Sequence, residues 1–349
     1  MDLFTQYKFL SGLRRGPLGE LAFLTAQADV EENSYRKDLW LKPLDGPAFP
    51  LTTDGKTGGF LWDGPHTLLF QSTRDPEQKK RAEAGEEHTA FYRLDLRGGE
   101  AQKAFEVPLS ASLLEKADEG VYLLAVDWDL RFSKAHQLKG GAKEALLKEK
   151  KEEKDYQVLD EMPFYFNGAG YVNKHRDALF LYEESSGKLT RVTKEAFSTG
   201  SAHLSPDGKQ VLFTGQSYTV KRKNKSGVYV YDRETGRTTE LLKPRAYDLY
   251  DALWWGEKIL LLATDGKRYG LNENAQFYTL NPASGEAALL APYEDALGSS
   301  VGSDCRLGGG REWVQEGDKL YFVTTLGGAS QVYCLEEAGE IRPVYTQAG

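Results

Sequence analysis

One repeated unit is clearest at Ser205-Pro-Asp-Gly-Lys-Gln-Val-Leu-Phe-Thr-Gly215, which is followed by Val228-Tyr-Val-Tyr-Asp-Arg-Glu-Thr-Gly236. In its first turn Pro206 fixes φ, and Gly208 takes a position where a side chain would clash. The apolar run 211–215 suits a strand buried on both faces. The turn at the end of the aromatic run supplies hairpin chemistry. This stretch therefore predicts antiparallel strands joined by tight turns.

The same two segments recur from one end of the chain to the other. The apolar runs are Leu21–Thr25, Leu68–Ser72, Tyr122–Val126, Val211–Gly215, Leu260–Thr264 and Leu320–Thr324. The aromatic runs with their turns are Leu39–Gly46, Phe91–Gly98, Leu179–Gly187, Val228–Gly236, Phe277–Gly285 and Val332–Gly339. Equivalent tyrosines recur at intervals of roughly 50 residues, a period that indicates a propeller or a solenoid.

We therefore predict an all-β fold, a β-propeller of four-stranded antiparallel blades that forms a single domain over residues 1–349. Six blades are visible, at about 7–54, 58–108, 110–195, 200–243, 249–292 and 303–346. A single blade cannot bury both of its faces, whereas a ring of blades can. The third blade is interrupted by Ala142–Lys154, whose helix formers and spaced Glu and Lys residues predict a charged helical insertion. That helix would be a solvated decoration or a lid.

Composition excludes several classes of function. A net charge of −8 argues against nucleic acid and anionic membranes as partners. No apolar run reaches the length of a membrane span, and the first residues do not read as a signal peptide. Cys305 and Cys334 are too few for a disulfide framework, so we expect a cytoplasmic protein.

The chain shows no recognisable catalytic apparatus. Gly298-Ser-Ser-Val-Gly302 matches the pattern of a nucleophile elbow, but the sequence after it does not favour a helix. No histidine follows Ser300, since the last one is His203. The five histidines lack zinc-binding spacings. We therefore predict no catalytic residue, no cofactor and no metal site, and expect Ser300 to be a loop serine.

Several segments resemble the propeller of the prolyl oligopeptidase family of serine peptidases, and most closely its acylaminoacyl-peptidase branch. They are Leu21–Tyr35, Asp38–Leu41, Leu51–Gly55, Val158–Tyr171 and the turn Ser205–Gly208. The resemblance implies an N-terminal, non-catalytic propeller that admits short peptides to a C-terminal α/β-hydrolase domain, which is missing here. The family's ring usually has seven blades, whereas six are visible in this chain.

The resemblance also directs attention to two loops. We expect Glu31, Glu32, Asn33, Tyr35 and Asn167 to face the peptide substrate or the hydrolase domain. The chain by itself is expected to be inactive.

Other interpretations stay open from the sequence. One is a stand-alone propeller of the TolB-like type that acts as a protein- or peptide-binding scaffold, and a weaker one is a propeller enzyme such as a sugar lyase or glycosidase. If a last blade is lacking, the ring could be open or could form oligomers through its edge strands. Residues 3–11 could also pair with the last unit.

Overall fold

The strands form six four-stranded antiparallel sheets and one two-stranded hairpin in the part of the chain that the computed structural model describes, residues 3–299 and 312–346. The chain divides into two compact units, one up to Arg191 and one from Val192 onward. Each unit contains three of the four-stranded sheets. The predicted fold class, a β-propeller of four-stranded blades with a charged helix inserted in the third, is confirmed.

The first unit contains blades 1 to 3. Blade 1 consists of β1 (Phe9–Arg15), β2 (Leu21–Asp29), β3 (Ser34–Lys42) and β4 (Phe49–Pro50). Blade 2 consists of β5 (Thr57–Gly64), β6 (Thr67–Ser72), β7 (Thr89–Asp95) and β8 (Gln102–Val107). Blade 3 consists of β9 (Ala111–Asp118), β10 (Val121–Asp129), β13 (His175–Glu183) and β14 (Lys188–Arg191), and its insertion holds the hairpin β11 (Tyr165–Phe166) and β12 (Gly170–Tyr171).

The helices of this unit are short. The α-helices are α1 (Pro76–Glu83) and α2 (Gly140–Glu152). The 3₁₀ turns are Phe4–Gln6, Leu130–Phe132, Ala135–Gln137 and Glu153–Asp155. In the part of the chain described, no helix is long and apolar enough to cross a membrane.

The second unit contains blades 4 to 6. Blade 4 consists of β15 (Phe197–Leu204), β16 (Gln210–Ser217), β17 (Gly227–Asp232) and β18 (Arg237–Leu242). Blade 5 consists of β19 (Asp248–Trp255), β20 (Lys258–Thr264), β21 (Gln276–Leu280) and β22 (Ala287–Ala291), with a 3₁₀ turn at Gly270–Asn272. Blade 6 consists of β23 (Trp313–Glu316), β24 (Lys319–Leu326), β25 (Ala329–Glu336) and β26 (Ile341–Tyr345).

The repeat read from the sequence corresponds to fixed positions in the blades. The apolar runs form the second strands, and six of the seven residues of β20 are buried. The recurring tyrosines lie in third strands, at Tyr92, Tyr229, Tyr278 and Tyr333. In the turn of blade 4 the Gly208 amide donates to the Ser205 carbonyl at 2.8 Å, and Gly208 has a φ of 70°. A side chain at that φ would be strained, which explains the glycine.

Aromatic packing fills the space between neighbouring blades of each unit. In the first unit the Phe105 ring, on blade 2, lies 5.3 Å from Tyr122 and 4.5 Å from Tyr182 on blade 3. In the second unit Phe277 of blade 5 lies 5.1 Å from Phe322 of blade 6. Aromatic pairs at these centroid distances contribute beyond their buried area. Each unit therefore has a core that is shared by successive blades.

The structure adds elements that the sequence interpretation did not include. Helix α1 begins at Pro76, with the Asp75 side chain capping the Glu77 amide at 3.0 Å. The hairpin β11–β12 was also not predicted. Phe9, Leu10 and Ser11 pair with β2 inside blade 1, and the pairing of residues 3–11 with the last unit stays a prediction.

Candidate functional site

The longest loops within the described blades connect a second strand to a third strand. In an up-and-down sheet, the connection between the second and third strands always leaves at the same end. Here these connections span residues 30–33, 73–88, 130–174, 218–226, 265–275 and 327–328. The connections between first and second strands are mostly tight turns, such as 119–120 and 256–257. Binding residues usually lie on such longer loops above a rigid scaffold.

The first predicted loop is the turn after β2. Glu31 and Glu32 are exposed, and the Glu32 amide donates to Asp29 Oδ1 at 3.1 Å. Asn33 has a φ of 46°, which the turn requires and which asparagine tolerates. Tyr35 lies at the start of β3 with 47 % of its surface exposed. These side chains are therefore available to a partner, and the turn geometry alone accounts for Asn33.

The second predicted loop is the hairpin inside the blade 3 insertion. Asn167 lies exposed in the turn between β11 and β12. Large side chains of the same insertion are exposed as well: Tyr156, Val158, Leu159, Met162, Phe164, Tyr165, Phe166 and Tyr171. The Tyr165 and Tyr171 rings pack edge to face, with centroids 5.6 Å apart. The structure gives no hydrogen bond or ion pair between Asn167 and the Glu31–Tyr35 turn among the residues it describes.

A buried ion pair holds the base of this hairpin. Arg176 donates from both terminal nitrogens to the Glu161 carboxylate, at 2.7 and 3.0 Å, and the two side chains are 0 % and 1 % exposed. Burial by itself would raise the pKa of Glu161, but the bonds from Arg176 and from the Lys174 amide hold it below its usual value. Asn173 ties the segment down further by donating to the Val158 carbonyl at 2.8 Å.

Two ion pairs attach helix α2 to blade 2. None of its residues is buried. Lys143 contacts Glu86 at 2.6 Å, and Lys150 contacts Glu87 at 2.7 Å. Arg81 also binds Glu86, and together these cations lower the pKa of Glu86 to about 2. The predicted charged insertion is therefore a helix that lies against the neighbouring blade's long connection.

Aspartates on first strands join neighbouring blades. In the first unit Asp63 of β5 accepts from Arg93 at 2.7 Å and from Tyr122 at 2.9 Å, and it pairs with Lys116 at 3.0 Å. In the second unit Asp251 of β19 contacts His203 Nε2 at 2.9 Å and accepts from Trp313 Nε1 at 2.7 Å.

Both carboxylates have pKa values below the usual range. For Asp63, burial opposes the shift, and the bonds from Arg93, Lys116 and Tyr122 outweigh it. For Asp251, burial again opposes the shift, and His203 and Trp313 outweigh it. A carboxylate whose oxygens are filled by side-chain donors fits a structural junction between blades better than an acid or base in catalysis.

The sequence interpretation missed a basic connection in blade 4. Residues 218–226 contain Lys221, Arg222, Lys223 and Lys225 and no acidic residue. An open depression of about 320 Å³ lies beside Lys221 and Lys223. The signal for this segment was visible in the sequence as Lys-Arg-Lys-Asn-Lys, because runs of cations are a recognised sign of binding to anions.

The described ranges hold no candidate metal centre, and the serine that matches the nucleophile-elbow pattern lies outside them. Within 3–299 and 312–346, no group of three or more His, Cys, Asp or Glu side chains could hold a metal ion. Ser300 and Cys305 lie outside the described residues, so the prediction of a loop serine stays a prediction.

Comparison with known proteins supports the fold. No protein-family model matches the chain. The acylaminoacyl peptidase of Pyrococcus horikoshii superposes with a TM-score of 0.68 at 16% identity, over 99% of this chain and 47% of that chain. This chain has the fold of an acylaminoacyl-peptidase propeller.

Other solved peptidases give the same result. A puromycin-hydrolyzing peptidase of Mycobacterium tuberculosis superposes with a TM-score of 0.61 at 13% identity, over 98% of this chain and 47% of that chain. The β-propeller domain of the Trilobed protease from Pyrococcus furiosus superposes with a TM-score of 0.57 at 13% identity, over 98% of this chain and 86% of that domain.

A curated sequence relative is similar over nearly the whole chain. It is an uncharacterized peptidase of Bacillus subtilis, YuxL, which is 22% identical over 334 residues and matches 93% of this chain. The chain spans about half the length of this relative, 48%. The propeller resemblance predicted from the sequence is therefore confirmed at the level of the fold.

Proposed function

We propose that this chain is the non-catalytic propeller of a serine peptidase and that it restricts a separate hydrolase domain to short peptides. The observation that carries the proposal is the superposition over 99% of this chain on a peptidase of which it covers 47%. More than half of that peptidase lies outside the matched region, which leaves room for a domain that performs the reaction. The acyl transfer itself, with its nucleophile and oxyanion hole, would belong to that domain.

Rigid blades suit a screen that works by size. A folded substrate is excluded only if neighbouring blades do not separate under its contact. The bonds of Asp63 and Asp251 to side chains of adjacent blades, and the aromatic contacts between blades, oppose such separation. An extended peptide needs no separation, so it passes the same blades.

In this proposal the predicted contact residues form binding surfaces and are not catalytic groups. Glu31, Glu32, Asn33, Tyr35 and Asn167 are all at or near second-to-third strand connections of the first unit. We propose that these connections face the peptide or the hydrolase domain. We also propose a cytoplasmic location, on the basis of the two cysteines.

The test uses the natural protein with the coding sequence that flanks these 349 residues. A fluorophosphonate should label a serine of that protein, and the protein should hydrolyse a short acyl-peptide nitroanilide. The 349-residue chain alone should do neither. A natural protein that is not labelled and that instead retains a stable protein partner in a pull-down would favour the stand-alone scaffold and refute the proposal.

A further inference from the structure

A dense cluster of basic residues in blade 4 has no role in the proposed function. Four cations stand within five residues, at Lys221, Arg222, Lys223 and Lys225, in a chain whose net charge is −8. Their connection runs between β16 and β17. A local field of sign opposite to that of the whole molecule attracts anions to one place.

A buried side chain holds the backbone of this connection in place through hydrogen bonds. Gln216 is 4% exposed, and its Nε2 donates to the Lys223 carbonyl at 2.5 Å and to the Lys225 carbonyl at 3.2 Å. Its Oε1 accepts from the Lys223 amide at 2.9 Å. A loop that is already fixed in place loses little conformational entropy when it binds.

The four cations differ in whether they already have partners. The Lys225 ammonium donates to the Ala246 and Asp265 carbonyls, at 2.9 and 3.1 Å. Arg222 lies near the half-buried Asp248 and lowers its pKa, although burial keeps that pKa above its usual value. Lys221 and Lys223 have no carboxylate within ion-pair distance among the residues described. By contrast, Lys143 and Lys150 of α2 each have a glutamate.

The two unpaired lysines border a space of suitable size. The depression of about 320 Å³ is lined by Lys221 and Lys223 together with the polar residues Ser217, Tyr218 and Thr219. Small-ligand and peptide side-chain sites have volumes of this order, roughly 300 Å³ and above.

We propose that the blade 4 connection binds acidic segments of peptides through Lys221 and Lys223. Carboxylates complement the two ammonium groups, and the small depression accepts a few residues. A nucleic acid would need a longer basic track than these few residues, and the net charge of −8 would repel it. The inference rests on the proposed function only in taking the peptide to be a substrate, because binding itself requires no hydrolase domain.

The experiment measures binding to the 349-residue chain by fluorescence anisotropy. The probes are fluorescein-labelled hexaglutamate, hexaglutamine and a twelve-residue oligothymidylate, each at about 50 and 150 mM salt, where the Debye length is roughly 14 and 8 Å. Hexaglutamate should bind, more weakly at the higher salt, and hexaglutamine should not. The double variant Lys221→Gln/Lys223→Gln should weaken hexaglutamate binding by about tenfold. Its melting temperature should be unchanged, because both side chains are exposed.

A matched variant controls for net charge. Lys148→Gln/Lys151→Gln also removes two positive charges, but from exposed positions on α2. Its affinity for hexaglutamate should stay within twofold of that of the unaltered chain. The inference is overturned if both double variants weaken binding equally, if hexaglutamine or oligothymidylate binds as tightly as hexaglutamate, or if no probe binds at 50 mM salt. Such a failure would leave serine labelling of the natural protein untouched, so it is distinguishable from failure of the proposed function.

Discussion

At the scale of single residues, the sequence predicted local turns but not the contacts that buried polar side chains make with residues distant in the chain. The turn Ser205–Gly208 could be predicted, because its proline and glycine fix the backbone locally. The pair of Glu161 with Arg176 was not, since the two lie 15 residues apart and meet only after the insertion folds back. The basic run at Lys221–Lys225 was readable from composition, but the Gln216 bonds that fix it come only from the structure.

The Glu161–Arg176 pair gives a stability prediction. Arg176→Met removes the two buried hydrogen bonds to the Glu161 carboxylate and leaves it only the Lys174 ammonium, 3.5 Å away, as a charged partner. This should lower the free energy of unfolding by about 3 kcal/mol. The double variant Glu161→Leu/Arg176→Met removes both charges and should recover most of the loss. Urea denaturation of the three proteins measures both values. A single variant that costs less than about 1 kcal/mol would contradict the burial of this pair.

The two blade-joining aspartates give a prediction for acid. Their pKa values in the folded chain lie below the ordinary 3.8, so their contribution to stability is complete above that value and is lost as the pH falls through the folded pKa. The free energy of unfolding should therefore decrease from about pH 4 downward. Asp251→Asn should lower the free energy of unfolding at pH 7, because its NH₂ group replaces an acceptor oxygen beside His203 or Trp313. It should also flatten the decrease in acid, because the amide does not titrate there. Asp45→Asn, in an exposed turn, is the control, and equal effects of the two variants would refute the role of Asp251.

At the scale of elements, strands followed from the sequence better than helices did. The recurring apolar runs predicted the second strands, because strands buried on both faces are continuously apolar. Helix α2 was predicted from its helix formers and from the helical spacing of its Glu and Lys residues. Helix α1 was not predicted, although Asp75 and Pro76 form a recognisable helix start, because its mostly polar residues carry no apolar period. The β11–β12 hairpin was missed because two-residue strands carry no periodicity.

The attachment of α2 gives a prediction at this scale. Lys143→Gln/Lys150→Gln removes both ion pairs to blade 2, so backbone amides of α2 should exchange with solvent several-fold faster. The global free energy of unfolding should fall by only about 1 kcal/mol, because partly exposed ion pairs contribute little. Lys148→Gln, whose pair with Glu152 lies within the exposed helix, is the control. Hydrogen exchange and urea denaturation measure the two effects, and unchanged exchange in the double variant would contradict a helix held by charges.

At the scale of the whole molecule, six four-stranded blades were predictable because the repeat occupies the chain from end to end. The function was not predictable to the same depth, since a propeller fold hosts many activities. The superposition on peptidases shows the fold, and the blade-joining aspartates and aromatic cores would supply the rigidity that the proposed screen by size requires.

The most direct test of that account is the dependence of cleavage on peptide length. The natural protein would be given peptides that share one scissile bond and lengthen from a few residues to a folded domain, and kcat/KM would be measured for each, with and without the segment 1–349. The account predicts that kcat/KM falls steeply with length in the natural protein and that the fall disappears when the blades are removed. The same length profile in both proteins would contradict it.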